Sequence, residues 1–250
     1  TYGCWIWNLY GGAHGYENLY EAIRDSCNFY FYTVVLGENQ ITHEKTSHKV
    51  ELEDLLYLAE EFGLNDRTGI EIDIPKEQSG GLPDPNDKIA STKMYMRLFL
   101  EKNIEKYYKE DIELNSDEKR QLIDEIVGWV NIEKSLSRNE VYRKLSELNI
   151  DPYKADENGI PIVDLIKYSY LNQAVWNPGD TMNISIGQGS NSYTPIQMAN
   201  YIATIANDGY RHNVSIVKNG ISFDGNKIVY TPKREAERIK INDYENLKHI

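Results

Sequence analysis

Ser26-Cys27-Asn28 is a place in this chain where side-chain types and spacing permit chemistry. A serine hydroxyl donates and accepts at once, and an asparagine amide can bond a carbonyl and an N–H together. The same two residue types also favour helix ends and turns, so the tripeptide reads equally well as a pair of local caps. A second pair, Cys4 and His14, flanks a short loop rich in glycine and aromatic residues. Thiolate and imidazole are good zinc ligands, but a structural zinc site takes four. Further ligands would have to be carboxylates or others from elsewhere. The competing reading is a buried free cysteine beside a structural histidine. His43, His48, His212 and His249 stand in polar contexts and read as surface residues.

Other strings are weaker. Ser116-Asp117-Glu118-Lys119 spells Ser-x-x-Lys, but helix capping accounts for Ser116. Lys45-Thr46-Ser47 lacks a glycine, and Arg67-Thr68-Gly69 leads into an alternating run. Gly187-x-Gly189 has neither the third glycine nor the acidic residue of a dinucleotide loop.

The elements that must position these residues follow from periodicity. Between Asn18 and Leu36, apolar side chains fall at helical spacing, which predicts two short helices jointed at Ser-Cys-Asn, or one continuous helix. Leu52 to Phe62 reads as a helix stopped by Gly63. Thr68 to Pro75 alternates, as a half-buried strand does, and Gly80 to Pro85 is a loop by composition. From Asn86 to Tyr170 the chain turns rich in Lys, Glu and Tyr and reads as helices. Met94, Leu98 and Ile104 share a face of the first. Ser116 caps the second, with Leu122, Ile123, Ile126, Val127 and Val130 inside. Ser137 and Glu140 form the capping box of the third. Met182, Ile184 and Ile186 alternate as a strand would. Thr194, Pro195 and Gln197 then open a helix with a capping box and a buried stripe of Met198, Tyr201, Ile202 and Ile205, ended at Asn207-Asp208-Gly209. Asn219-Gly220 and Asp224-Gly225 predict hairpin turns.

Bulk properties exclude several classes. With 40% apolar residues in 250, the chain can bury a core. A net charge of −12 argues against a nucleic-acid partner, because phosphate binding needs a basic face. Two cysteines make no disulfide framework. The longest apolar run, Phe29 to Leu36, is too short to span a bilayer.

Taken in order, Ala22 to Tyr32 around Ser-Cys-Asn, Trp176 to Thr181, Ser185 to Gly189 and Thr194 to Ala199 resemble the middle of the transpeptidase domain of class B penicillin-binding proteins. The resemblance covers roughly Tyr2 to Pro85 and Val175 to Gly209. It implies an α/β (α+β) penicilloyl-serine transferase fold, with a helical lobe beside a mostly antiparallel sheet. It places a partial transpeptidase domain at 1–85 and 171–250, and a helical insertion at 86–170. That insertion is long for the family, and docking a partner or covering the cleft are its two candidate roles.

The implied activity is that of a serine-type D,D-transpeptidase, which cross-links peptidoglycan and is acylated by β-lactams. Such enzymes serve cell shape, cell division and antibiotic resistance. In the family a Ser-x-x-Lys supplies the nucleophile, Ser-x-Asn follows it, and a Lys-Thr-Gly strand binds the substrate carboxylate. The resemblance makes Ser26 the proton relay and Asn28 the amide clamp. Family order places the nucleophile before Ser-x-Asn, which leaves Ser116 without a catalytic role. It leads one to expect the nucleophile before Thr1 and the Lys-Thr-Gly strand after Ile250, with this segment alone inactive. Catalysis would need no cofactor, although a structural zinc at Cys4 and His14 is compatible with it. Expected partners are the peptidoglycan stem peptide, β-lactams, a membrane glycosyltransferase and cell-wall assembly proteins. The expected place is the extracytoplasmic face of a bacterial membrane, through an anchor outside these residues. The alternative is a catalytically silent or β-lactam-sensing module with the same fold.

Overall fold

A computed structural model describes residues 3–73, 75, 77–109, 112–131 and 134–249. In chain order the helices are α1 (Trp5–Tyr10), α2 (Leu19–Arg24), α3 (Asn28–Leu36), α4 (Leu52–Glu61), α5 (Pro85–Asn103), α6 (Ser116–Gly128) and α7 (Arg138–Glu147). Then come α8 (residues 162–174, with a π-helical stretch Leu165–Leu171), α9 (Pro178–Ser185) and α10 (Pro195–Ala206). Strands β1 (Tyr210–His212), β2 (Gly220–Ile221), β3 (Ile228–Tyr230) and β4 (Ala236–Arg238) follow. The chain divides into two compact units, residues 83–177 and the remainder. No described helix is long and apolar enough to cross a membrane.

Residues 83–177 are built on one apolar core. Met96, Leu100 and Ile104 meet Ile123, Ile126, Val141, Leu145, Ile162 and Ile166, all buried. Local polar chemistry starts each helix. Asp84 caps α5 with Pro85 in the first position, and Ser137 forms the expected capping box with Glu140 at the start of α7. Three expectations need correction. Asn115, not Ser116, caps α6, accepting from the N–H groups of Asp117 and Glu118 at 3.0 Å. In α5, Met94 and Leu98 are exposed, whereas Met96 and Leu100 are fully buried. Both pairs are four residues apart, so helical spacing admits either stripe and only the surrounding core selects one. Val130 is buried just past the end of α6 rather than inside it.

In the other unit α9 packs on α3. Tyr32 and Val35 meet Met182, flanked by Leu36, Val50, Leu55 and Ile186. This overturns the strand expected at Met182-Ile184-Ile186. Met182 and Ile186 are also one helical turn apart, and so short an apolar run fits either period. The strand expected at Thr68–Pro75 is likewise absent among the described residues, and Ile74 lies outside them. Gly69 sits at φ +70°, and side chains rather than a neighbouring strand satisfy this segment. Thr68 donates to Glu77 from its N–H and hydroxyl, at 3.2 and 3.0 Å. Glu71 accepts from Ser215 Oγ and Val217 N at 2.6 and 2.7 Å.

The capping box of α10 is as expected, with Thr194 and Gln197 bonded reciprocally. Its expected buried stripe is only partly so, with Tyr201 and Ile205 half-buried. Met198 and Ile202 are exposed, while Gln197 and Thr204 are buried. The Gln197 amide is buried because it has work there: its Nε2 donates to the carbonyls of Leu64 (3.2 Å), Asp66 (2.6 Å) and Ser79. A buried polar group with bonding capacity filled carries little penalty. β1 pairs antiparallel with β4, Tyr210 opposite Arg238. β2 and β3 form one hairpin closed at Asp224-Gly225, and Gly220 lies in a strand rather than in a second turn. The folded chain is thus mixed α and β, with two small antiparallel sheets among the described residues.

Candidate active-site turn and thiol–imidazole cluster

Helix α2 begins in a capping box: the Glu21 N–H donates to Asn18 Oδ1 at 3.1 Å, and the Asn18 N–H to Glu21 Oε2 at 2.9 Å. It ends in a tight turn. The Ser26 N–H donates to the Ile23 carbonyl at 3.3 Å, and the Cys27 N–H to the Ala22 carbonyl at 2.9 Å. This is the Schellman pattern, whose pivotal residue adopts a left-handed conformation and is usually glycine. Here that residue is Ser26, at φ +51°. An L-residue in this region costs roughly 1–2 kcal/mol relative to right-handed backbone. Cys27 then returns to extended backbone, and Asn28 opens α3.

Two bonds from the start of α1 hold the turn from outside. Trp5 Nε1 donates to the Asp25 carbonyl at 2.9 Å. The Cys4 thiol points at the Ser26 carbonyl, 3.9 Å away. Neither Ser26 nor Asn28 caps a helix with its side chain: α2 ends through backbone bonds, and the residue before α3 is Cys27. Ser26 is exposed and Asn28 half-buried. Both functional groups are therefore presented at a backbone-fixed joint rather than consumed by it.

Beneath this joint the structure brings Cys4 and His14 together, with Cys4 Sγ 3.5 Å from His14 Nδ1. It adds Cys27, whose spacing from Cys4 matches no common zinc knuckle, and Glu17, which sequence reading passed over. Cys27 joins them, the three ligand atoms lying within 4.8 Å of one another. Glu17 Oε1 lies 3.8 Å from His14 Nδ1. The Glu17 and His14 side chains are only 6% and 9% exposed. His14 Nε2 and Glu17 Oε1 are buried without a hydrogen-bond partner. Burial first, and the Glu17 carboxylate beside it second, push the Cys27 thiol up to about 12. Signals for both additions were present in the chain. Cys27 is the only other cysteine, and Glu17 follows His14 by three residues. His43, His48, His212 and His249 are exposed.

The remaining strings have local structural roles. Lys119 pairs with Glu105 at 2.5 Å, and Thr68 is taken up by Glu77. Gly187, at φ +71°, and Gly189, at φ +79°, close the end of α9, where the Gln188 N–H donates to the Asn183 carbonyl at 2.8 Å. That is a helix stop, not a phosphate cradle.

No curated protein matches the chain. A family model described as the penicillin binding protein transpeptidase domain matches residues 124–250. The matched span opens inside α6 and takes in α9, the glycine turn after it, α10 and both sheets. Cys4, His14, Ser26 and Asn28 precede it. With just over half of its length matched, the chain belongs to the penicillin-binding protein transpeptidase domain family.

Proposed function

We propose that this chain supplies the proton-relay and amide-binding segment of a peptidoglycan D,D-transpeptidase, with Ser26 as relay and Asn28 as clamp. One observation carries the assignment: Ser26 occupies a left-handed position that glycine fills at lower cost, and its hydroxyl is not used as a cap. Local strain held at a polar side chain is a mark of function. Family membership supports the reaction class, with peptidoglycan peptides and β-lactams as the ligands.

In this reading a serine of a Ser-x-x-Lys motif attacks the carbonyl of the penultimate D-alanine. Its proton passes through Ser26 to the leaving amine, and the terminal D-alanine departs. An acceptor amine then attacks the acyl-enzyme, and its proton returns by the same relay to restore the serine hydroxyl. Asn28 bonds the substrate amide on both its N–H and C=O sides. A β-lactam opens its ring in the first step but releases no leaving group, so the acyl-enzyme persists. The proposed setting is the outer face of a bacterial membrane, alongside a glycosyltransferase and cell-wall assembly proteins. Residues 86–170 are proposed as a helical insertion in this domain, a reading supported by their separate core.

The test uses a protein carrying this segment together with the Ser-x-x-Lys and Lys-Thr-Gly motifs. Labelled penicillin should acylate it, and Ser26→Ala should slow acylation by about 10²–10⁴-fold, the range for a lost proton-transfer group. Asn28→Ala should weaken capture of peptide substrate. Unchanged acylation in Ser26→Ala sinks the relay assignment. Acylation without turnover of any peptide would instead mark a β-lactam sensor.

A further inference from the structure

We infer that the β2–β3 hairpin is a shallow docking element for an anionic lipid bilayer, with Phe223 in the boundary between headgroups and acyl chains and basic side chains against the headgroups. β1 and β4 pair with each other, so residues 213–235 leave and rejoin that small ladder as one excursion. Its base is fastened. The Asn213 N–H donates to the Glu235 carbonyl at 3.2 Å, and Glu71 accepts from Ser215 Oγ and the Val217 N–H. Further out, β2 and β3 form a sheet of two strands. Ile216, Ile221, Phe223, Ile228, Val229 and Tyr230 are all exposed there, Phe223 fully.

A two-stranded hairpin is marginal in water unless something packs on it, and clustered exposed apolar side chains mark a contact surface. Successive strand residues point to opposite faces. Ile228, Val229 and Tyr230 are successive and all exposed, so both faces of the ribbon are apolar. A protein groove covers one face of a ribbon, whereas a fluid boundary surrounds both. Charge selects the same partner. The chain carries −12, yet residues 213–235 hold Lys218, Lys227, Lys233 and Arg234 against Asp224 and Glu235, a net +2. All four cations are exposed, and basic groups beside an apolar surface favour anionic lipid. Two features keep the contact shallow. Open strand edges find no hydrogen-bond partners in hydrocarbon. The Asp224 carboxylate, held below its ordinary range by the Ser222 hydroxyl and by Asn226, keeps its charge at the turn.

The contact does not rest on the transpeptidase reading, and vesicle binding reads no acylation, so either can fail alone. The whole 250-residue chain is cosedimented with vesicles of one part phosphatidylglycerol to three parts phosphatidylcholine, and separately with phosphatidylcholine alone. The expected result is binding to the first that weakens as salt rises, and binding to the second at least about tenfold weaker. Phe223→Asp alters a fully exposed position, so melting should stay unchanged while binding falls about tenfold or more. Lys218→Gln combined with Lys227→Gln should weaken binding about 10–30-fold. Phe223→Trp adds a reporter ring whose emission should shift to the blue on anionic vesicles and be quenched by brominated acyl chains. No binding to the anionic vesicles, binding unchanged in Phe223→Asp, or an unshifted reporter would overturn the proposal. A concentration-dependent dimer that Phe223→Asp dissolves would also overturn it, by making a second copy the cover of the hairpin.

Discussion

The two units solve the problem of stability differently. Residues 83–177 rest on one continuous apolar cluster, with nineteen buried side chains among the described residues. The other unit divides its buried apolar side chains between small clusters, such as Cys4-Ala22-Cys27 and Tyr32-Val35-Met182. It leaves Trp7, Leu9, Tyr10, Tyr16 and Phe223 exposed. In place of a large core it uses polar side chains that reach distant backbone. Gln197 serves three carbonyls, Glu71 ties residue 71 to residues 215–217, and Arg211 Nη1 donates to the carbonyls of Glu60 and Glu61 at the end of α4. Apolar burial is non-directional and holds a shape, whereas directed hydrogen bonds fix individual backbone positions. The strained Ser26 turn and the buried thiol–imidazole cluster belong to the unit held by directed bonds.

The sharpest test of this contrast is at Ser26. In a protein with the full set of transpeptidase motifs, Ser26→Gly should lower acylation about 10²–10⁴-fold. It should also raise stability by roughly 1 kcal/mol, because glycine relieves the left-handed strain. Melting and acylation measured on one preparation check both signs. Loss of stability would mean that the serine serves the fold.

Next in size is the apolar core. Residues 83–177 expressed alone should unfold cooperatively, and Leu145→Ala should cost about 2–5 kcal/mol in denaturant titration. A non-cooperative transition in the isolated piece would dissolve the contrast. For the polar unit, Gln197→Leu removes the donor from three carbonyls at once. It should cost roughly 1–3 kcal/mol for buried acceptors left unpaired. A loss as large as that of Leu145→Ala would show directed bonds rivalling burial here.

The smallest effect concerns pH. The Ser215 hydroxyl and backbone N–H groups lower Glu71 to about 2 from an ordinary 4.5. A carboxyl depressed on folding contributes stability above its unfolded value and loses it as pH falls toward its folded value. The parent should therefore lose stability more steeply than Glu71→Gln between about pH 4.5 and pH 2. Equal slopes would remove Glu71 from the link between residues 71 and 215.

How legible all this was depends on how local each device is. The capping boxes at Ser137 and Thr194 involve residues three apart, and both stand where the spacing predicts them. The joint between α2 and α3 was legible for the same reason. Asn115 took the cap expected of Ser116 because neighbouring polar residues compete for one backbone geometry. The strand expected at Met182 became α9, since alternation over five residues also places its ends one helical turn apart.

The amino-acid sequence by itself marked α2 to α7 and α10, several of their starts, the Ser-x-Asn joint and the family, but not α1, read as a loop, or α9, read as a strand. Its residue types also marked Cys4 and His14 as a pair with metal-binding chemistry. Tertiary structure alone decided which stripe of α5 is buried, that α10 turns a glutamine inward, and that Cys27 and Glu17 close around Cys4 and His14. The physical reason is range. Caps and turns are settled by bonds between residues a few positions apart. The burial of one face over another, and the meeting of residues 4 and 27, depend on what the rest of the chain brings against them.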